Sequence, residues 1–281
     1  MIRIVTDSTC DLPAELLAAH RITVVPINIQ FGQESYQEGV TLDAEGFYRM
    51  VEEHNQLPTT SQPSLGQFQT AYRSLRDEPD TEAILSVHIT SHLSGTYDAA
   101  VVGAGQMPSE PPVTVFDSLS GSMGLGFMIL EAAQMVQAGV SLPVILVRLE
   151  TLRKRMHIFF SLDDLRYARM SGRVGISQAL LASLLQIKPM LTVTEGKLAM
   201  VKRVRSRAQG LQALVDALSE RLGDLPARVA VIHTQDPEAA EQVQAMVAKR
   251  VRVTQMFVRE LSVGIAVHFG PGTVGVVGYN P

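Results

Sequence analysis

The sequence predicts an α/β protein of two domains, and three observations support this. Short apolar runs alternate with amphipathic segments through the first half of the chain, as in a parallel, doubly wound sheet. After about residue 142 the apolar runs lie closer together, which is typical of a mixed sheet. The chain has 281 residues, of which 46% are hydrophobic, enough to form two cores. We therefore predict an α/β/α domain at residues 1–150 and a mixed-sheet α/β domain at residues 151–281.

The first half contains four apolar runs with strand character and several segments with an apolar helical face. We expect strands at residues 2–5, 22–31, 84–89 and 112–118, and helices at residues 14–20, 42–54, 64–75, 124–139 and from about residue 97. Pro26 favours an edge position or a bulge in the second strand. Ligands of parallel sheets bind outside the carboxyl ends of the strands. The loops that follow three of these strands, at residues 7–10, 91–96 and 117–122, should therefore meet at one rim.

The second half begins with a helical pattern and continues with more closely spaced strands. A Glu-Gly pair at residues 195–196 separates two runs that predict an antiparallel hairpin. We expect helices at residues 142–156, 163–175, 207–222, 237–249 and from residue 263, and strands at residues 157–162, 187–193, 197–204, 228–234, 251–261 and 273–279. Together these elements form a second α/β domain with a mixed sheet.

The segment at residues 83–100, "AILSVHITSHLSGTYDAA", predicts a buried strand, a hydroxyl-rich loop and a helix start. Free N–H groups at a helix N-terminus, together with nearby hydroxyls, form a receptor for an anion. Alternatively, Ser94 only caps the helix, and capping is common. The segment at residues 55–64 predicts a loop whose hydroxyls face solvent or a ligand, or else an ordinary linker.

Composition and charge exclude several classes of function. The net charge of −4 provides no basic footprint for nucleic acid. Aromatic residues make up 5% and Trp is absent, whereas 12 Met and many aliphatic residues favour an aliphatic pocket. Cys10, the single cysteine, excludes an internal disulfide and fits a reducing cytoplasm, and we interpret it as a packing residue. Neither a signal peptide nor an apolar segment of membrane-spanning length is predicted.

The motifs of common enzyme classes are missing from the sequence. HExxH and Walker A patterns are absent, and the glycine clusters "GSMGLG" and "GPGTVG" are better explained as tight turns, so no metal or nucleotide cofactor is expected. Ser94 lacks the G-x-S-x-G frame of a nucleophile elbow, which leaves a hydrolase as a minor alternative. By default, His268 is a hydrogen-bonded core residue.

Seven segments, in this order and at these spacings, resemble the DegV family. They are "IVTDSTCDLP", "PTTSQPS", "LSGTYDAA", "FDSLSGSMGLG", "YARMSGRVG", "IKPML…GKL…VKRVRSR" and "GPGTVGVVGY". Each is weak alone, but the set is specific and spans nearly the whole chain. The resemblance implies an α/β/α parallel-sheet domain, a second domain whose mixed sheet rolls into a half-barrel, and a bacterial fatty-acid-binding protein.

In the DegV family the acyl chain of a long-chain fatty acid is buried in a tunnel between the domains. Hydroxyls and a histidine hold its carboxylate. Carried over by motif, these ligands would be Thr60 in "TTSQP", Ser94 in "LSGTY" and His268 in "VHFGPG". The neighbouring Ser61 and Gly95 would add backbone N–H groups.

The resemblance further implies a cytoplasmic carrier that is not itself an enzyme. A separate fatty acid kinase subunit would phosphorylate the bound acid with ATP, giving acyl phosphate for phospholipid synthesis. Arg205 in "VRSR" matches a family arginine associated with this step. The chain departs from the family pattern at His92 and Ser171, and these changes bear on the partner surface more than on the carboxylate site. A transient contact with a membrane surface is compatible with this role.

Two other functions fit the same residues. The cluster of hydroxyls and a histidine is compatible with an acyl or phosphoryl transferase, or a hydrolase, that works alone. A lipid-sensing regulatory protein without any chemistry is the other alternative.

Overall fold

The structure is a computed structural model that describes residues 1–54, 58–163, 167–168, 172–173 and 187–281. The chain divides into two compact units. The first comprises residues 1–153 together with 262–264, and the second comprises residues 154–261 together with 265–281.

The first unit contains seven strands, six α-helices and one 3-10 turn among its described residues. They are β1 (Ile2–Asp7), a 3-10 turn (Ser8–Cys10), α1 (Ala14–Ala19), β2 (Thr23–Val25), β3 (Asn28–Phe31), β4 (Glu34–Gln37), α2 (Ala44–His54), β5 (Thr59–Ser61), α3 (Leu65–Arg76), β6 (Ala83–His88), α4 (Thr96–Gly105), β7 (Val113–Asp117), α5 (Met123–Gln137) and α6 (Leu142–Arg155).

The sheet of the first unit is parallel throughout, with the strand order β2-β1-β6-β7. Every residue of β6 is buried, because helices cover the central strands of such a sheet. Helix α5 packs so closely on the turn after β1 that a side chain at Gly126 would meet the Cys10 carbonyl oxygen at 2.4 Å. The Cys10 side chain is 2% exposed, as expected of a packing residue.

Two predictions for the first unit were wrong in detail. The apolar run at residues 22–31 forms two strands rather than one, since Pro26 lies where the chain leaves the parallel sheet. Strand β3 instead joins a separate antiparallel sheet with the order β4-β3-β5. The predicted loop at residues 55–64 contains strand β5, which pairs with β3, while its residues 55–57 lie outside the described part of the chain.

The second unit contains the predicted mixed sheet. Its elements are β8 (His157–Ser161), β9 (Lys188–Thr194), β10 (Lys197–Val204), α7 (Arg207–Leu222), β11 (Ala227–His233), α8 (Pro237–Arg250), β12 (Val253–Glu260), α9 (Val263–Phe269) and β13 (Val274–Tyr279). The strand order is β10-β9-β8-β13-β11-β12, and only the pair β11–β12 is parallel among these strands. The α/β fold class with a parallel and a mixed sheet is thus confirmed.

The hairpin of the second unit was also predicted correctly. Glu195 and Gly196 connect β9 to β10 with φ angles of 49° and 76°, the positive values that a two-residue type I′ turn requires. Helix α7 buries Leu214, Val215 and Leu218 completely. The predicted helix at residues 163–175 lies mostly outside the described residues.

Candidate functional site

The loops that follow β1, β6 and β7 meet at the carboxyl edge of the parallel sheet, as predicted. The Ile89 N–H donates to the Asp7 carboxylate over 3.0 Å. The Thr90 N–H donates to the Ser120 carbonyl oxygen over 2.8 Å. Hydrogen bonds from its backbone N–H groups therefore hold the loop after β6 to Asp7, at the end of β1, and to the loop after β7.

Ser94 lies at the end of this loop and is half-buried. Its N–H donates to the Thr90 carbonyl oxygen over 3.3 Å, and its hydroxyl contacts the Thr96 hydroxyl at 2.8 Å. The Ser94 Oγ also accepts the Thr96 N–H, at 3.3 Å, while Gly95 is the N-cap of α4. Ser94 therefore accepts the N–H of the first helical residue without being the N-cap residue itself, and its hydroxyl lies at the start of a ten-residue helix.

Thr60 and Ser61 lie on strand β5 of the antiparallel sheet. Both residues are half-buried. Gln62 follows them, and a side chain at Gly95 would meet its amide nitrogen at 3.1 Å. The Gln62 carbonyl oxygen accepts a hydrogen bond from the Asn28 side chain at 3.1 Å. Gln62 therefore brings the end of β5 beside Gly95. That Thr60, Ser61, Ser94 and Gly95 form one carboxylate site stays a prediction.

His268 belongs to the second unit and lies near the end of α9. Burial, reinforced by the positive charge of Arg173, lowers the pKa of His268 to about 4. Its imidazole is therefore neutral at neutral pH and can donate one N–H to an anion without adding charge. Its membership of the carboxylate site stays a prediction.

Arg205 also belongs to the second unit and is exposed, directly before α7. Its N–H donates to the Gln209 side chain at 3.2 Å. Beside it lies a groove of about 580 Å³, whose walls come from the end of β10 and the first turns of α7 and include Lys202, Arg203 and Asp216.

A buried chain of hydrogen bonds in the first unit was not predicted from the sequence. The Tyr72 hydroxyl contacts Ser86 Oγ at 2.9 Å, Ser86 Oγ contacts His88 Nε2 at 2.7 Å, and His88 Nδ1 contacts Asp7 Oδ2 at 2.9 Å. All four residues are 0% exposed. The signal available in the sequence was the presence of Ser86 and His88, two residues apart, within an otherwise apolar strand.

Asp7 anchors this chain of hydrogen bonds. Burial alone would raise the pKa of Asp7, but the hydrogen bond and charge of His88, helped by Thr9 and Ile89, hold it below its ordinary value. The ionised carboxylate accepts from His88 Nδ1, and the contacts of Ser86 Oγ with His88 Nε2 and with the Tyr72 hydroxyl complete the chain.

The order of Ser86, His88 and Asp7 is that of a hydrolase triad, but the arrangement has no access to a substrate. Ser86 is fully buried, and its oxygen is already in contact with Tyr72. A nucleophile must reach the reacting carbonyl. We conclude that this chain of hydrogen bonds stabilises the sheet.

The described residues contain neither a metal-binding cluster nor a membrane-spanning helix. Within the described residues, no group of three or more His, Cys, Asp or Glu side chains could hold a metal ion. Among the helices that the structure describes, none has the length and apolar character needed to cross a membrane.

Comparison with known proteins places the chain among its relatives. Residues 1–280 match the model of a family described as "Uncharacterised protein, DegV family". The chain belongs to the DegV family. Protein DegV of Bacillus subtilis is 34% identical over 278 residues, which cover 98% of each chain. A DegV domain-containing protein of Deinococcus radiodurans is 37% identical over 279 residues, which cover 98% of this chain and 97% of the relative.

Solved structures of DegV proteins have the same fold. A fatty-acid-binding DegV family protein from Thermus thermophilus is 33% identical, with a TM-score of 0.92 and coverage of 100% of this chain and 99% of that protein. DegV of Bacillus subtilis, described as a fatty acid binding protein, is 32% identical, with a TM-score of 0.87 and the same coverage.

Proposed function

We propose that this chain binds one long-chain fatty acid, buries the acyl chain between its two domains and presents the carboxylate. The observation that carries the proposal is the likeness, over the whole chain, to solved DegV proteins described as fatty-acid-binding. The proposed carboxylate ligands are the predicted ones, Thr60, Ser61, Ser94, Gly95 and His268. The hydroxyl-rich rim of the first unit supports this assignment.

The acyl chain would supply most of the binding free energy. Burial of a methylene group contributes about 0.8 kcal/mol, so roughly 14 methylenes contribute on the order of 11 kcal/mol before the costs of association. Hydroxyls and a neutral His268 would orient the carboxylate without neutralising it. The carboxylate would therefore remain nucleophilic.

The finer proposal is that a separate kinase subunit phosphorylates the presented carboxylate with ATP. This chain would contribute positioning, because the nucleotide and Mg²⁺ sites would belong to the partner. The product, an acyl phosphate, would enter phospholipid synthesis in the cytoplasm. Arg205 and the adjacent groove offer exposed positive charge for docking the kinase.

The decisive experiment is identification of the bound lipid. The protein is purified from a bacterial host, its native and denatured masses are compared, and any released molecule is identified. We expect a fatty acid in near-stoichiometric amount, and a loss of affinity in Thr60→Ala/Ser94→Ala. An empty protein that also refuses added fatty acids would refute the proposal.

The kinase step is tested separately with a cognate kinase subunit and ATP. We expect acyl phosphate only when both proteins are present, and turnover reduced by about tenfold or more in Arg205→Ala with unchanged lipid binding. Arg252→Ala, at another exposed arginine of the second unit, is the matched control. Turnover by this chain alone would favour an independent enzyme instead.

A further inference from the structure

Two buried carboxylates hold the first residues of helix α9. Asp11 Oδ1 accepts the Ser262 N–H at 3.0 Å, and Glu38 Oε1 accepts the Gly264 N–H at 2.9 Å. The Val263 N–H also hydrogen-bonds to Glu38. Three consecutive N–H groups at the helix start therefore have carboxylate acceptors, which also complement the positive end of the helix.

Each carboxylate is itself fixed by a serine. Ser122 Oγ donates to Asp11 Oδ2, and Ser8 Oγ donates to Glu38 Oε2. The Ser8 hydroxyl in turn accepts the Ile27 N–H at 3.0 Å. Residues 262–264 belong to the first unit, as the two carboxylates do, so these contacts lie within that unit and tie the start of α9 to segments remote from it in sequence.

The contact with Glu38 leaves little space at position 264. A Cβ atom there would lie 3.0 Å from Glu38 Oε2 and 3.3 Å from Ile27 Cγ2, so these neighbours would have to shift. Asp11 is 6% exposed and Glu38 is 9% exposed. We call these two carboxylates, with the N–H groups of residues 262–264, the α9 clasp.

We propose that Asp11 and Glu38 are positioning residues for the ligand, because the α9 clasp sets the direction in which His268 points. His268 follows Gly264 by four residues and so lies on the same face of the helix, one turn further on. The inference rests on the proposed function, in which His268 binds the fatty-acid carboxylate.

The charge of Glu38 provides a test that a merely structural residue would not pass. Burial, together with the negative charge of Asp11 on the turn after β1, raises the pKa of Glu38 to about 7, against the hydrogen bonds from Ser8, Gly264 and Val263. Glu38 therefore ionises near neutral pH, and an ionised carboxylate accepts N–H bonds more strongly than a protonated one. As long as Glu38 stays buried in the folded protein, the clasp should tighten as the pH rises through this range, even though burying the charge lowers the global free energy of unfolding.

The first experiment compares a long-chain fatty acid with the primary alcohol of the same length, which lacks the carboxylate. We expect Glu38→Ala and His268→Ala each to weaken binding of the acid by about tenfold, the loss of one good hydrogen bond to a charged group, with little change for the alcohol. The double variant should lose no more than either single variant. Glu52→Ala, at an exposed glutamate of α2, is the control. Additive losses, or equal losses for both ligands, would overturn the inference.

A second experiment needs no lipid. Ring resonances of His268 are followed by NMR as a function of pH in the ligand-free protein. In Glu38→Ala we expect the midpoint to rise from about 4 toward the ordinary value of 6.5, as the loosened helix exposes the imidazole. An unchanged midpoint would overturn the inference, whereas failure of the wild type to bind any fatty acid would instead refute the proposed function.

Glu38→Gln keeps the size of the side chain and one hydrogen-bond acceptor. It can therefore replace Glu38→Ala as the test variant if the alanine variant does not fold. The wild type should bind the acid more tightly at about pH 8 than at about pH 6, since Glu38 ionises between them. Affinity of the Gln variant should not change across this range. The same pH dependence in both proteins would contradict a role for the Glu38 charge.

Discussion

Asp7 and Glu38 are both buried carboxylates of the first unit, yet their pKa values move in opposite directions. Burial raises the pKa of each group, and in Glu38 the nearby Asp11 adds to this effect. In Asp7 the hydrogen bond to His88 and its charge outweigh burial. The identity of the partner, rather than the depth of burial, therefore decides the sign of the shift.

The largest expected effect comes from breaking the Asp7–His88 pair. His88→Ala leaves the buried carboxylate of Asp7 without its imidazole partner, so we expect the free energy of unfolding to fall by about 3–5 kcal/mol. Urea denaturation measures this loss. His92→Ala, at an exposed histidine of the following loop, should change stability by less than about 0.5 kcal/mol. Equal effects of the two substitutions would contradict the comparison.

Removing the charge of Glu38 tests the other carboxylate of the comparison, whose pKa is raised by burial. Its pKa is about 7 in the folded protein against an ordinary 4.5, so the folded state binds more protons than the unfolded state between these values. Stability should therefore fall as the pH rises through this window, by about 3 kcal/mol in total if burial is complete.

Glu38→Gln should abolish this slope. The measurement is the urea midpoint of both proteins at several pH values across the window, and parallel curves would show that Glu38 does not cause the slope. Asp7 acts in the other sense: its lowered pKa contributes stability that is lost only as the pH falls below its ordinary value of 3.8.

The smallest effect is expected at the far end of the buried hydrogen-bond chain. Tyr72→Phe removes one hydrogen bond with Ser86 but leaves the Ser86–His88 and His88–Asp7 contacts, so the loss should be about 1 kcal/mol. Tyr36→Phe, at a half-buried tyrosine whose hydroxyl donates to Glu34 at the surface, is the matched control and should have little effect. A loss as large as that of His88→Ala would mean that the four groups act as one unit.

Periodicity and turn residues in the sequence predicted the elements that depend on contacts between residues close in sequence. The alternation at residues 83–100 predicted β6, its loop and α4, and the Glu-Gly pair predicted the hairpin of the second unit. The short strands were not predicted as separate elements: β3 was merged with β2 into one run, and β5 was predicted as loop. Their four and three residues are too few to display a period.

Contacts between residues distant in sequence could not be predicted from local patterns. Asp7 and His88 are 81 residues apart, Asp11 and Ser262 are 251 apart, and Glu38 and Gly264 are 226 apart. Polar residues in apolar runs marked some of these positions, but a single sequence does not indicate which partner each would find. The motifs of the DegV family supplied the candidate ligands that the composition alone did not.

Helix α5 packs on the turn after β1 and helps to bury Cys10, which allows a fluorescent dye to be attached selectively elsewhere. Cys10 is the single thiol of the chain, and burial raises its pKa far above the range in which maleimides react. A cysteine introduced at an exposed position, such as Gln62 beside the rim, would therefore be labelled selectively in the otherwise native sequence. A dye there would report occupancy of the rim in real time, without radioactive lipid.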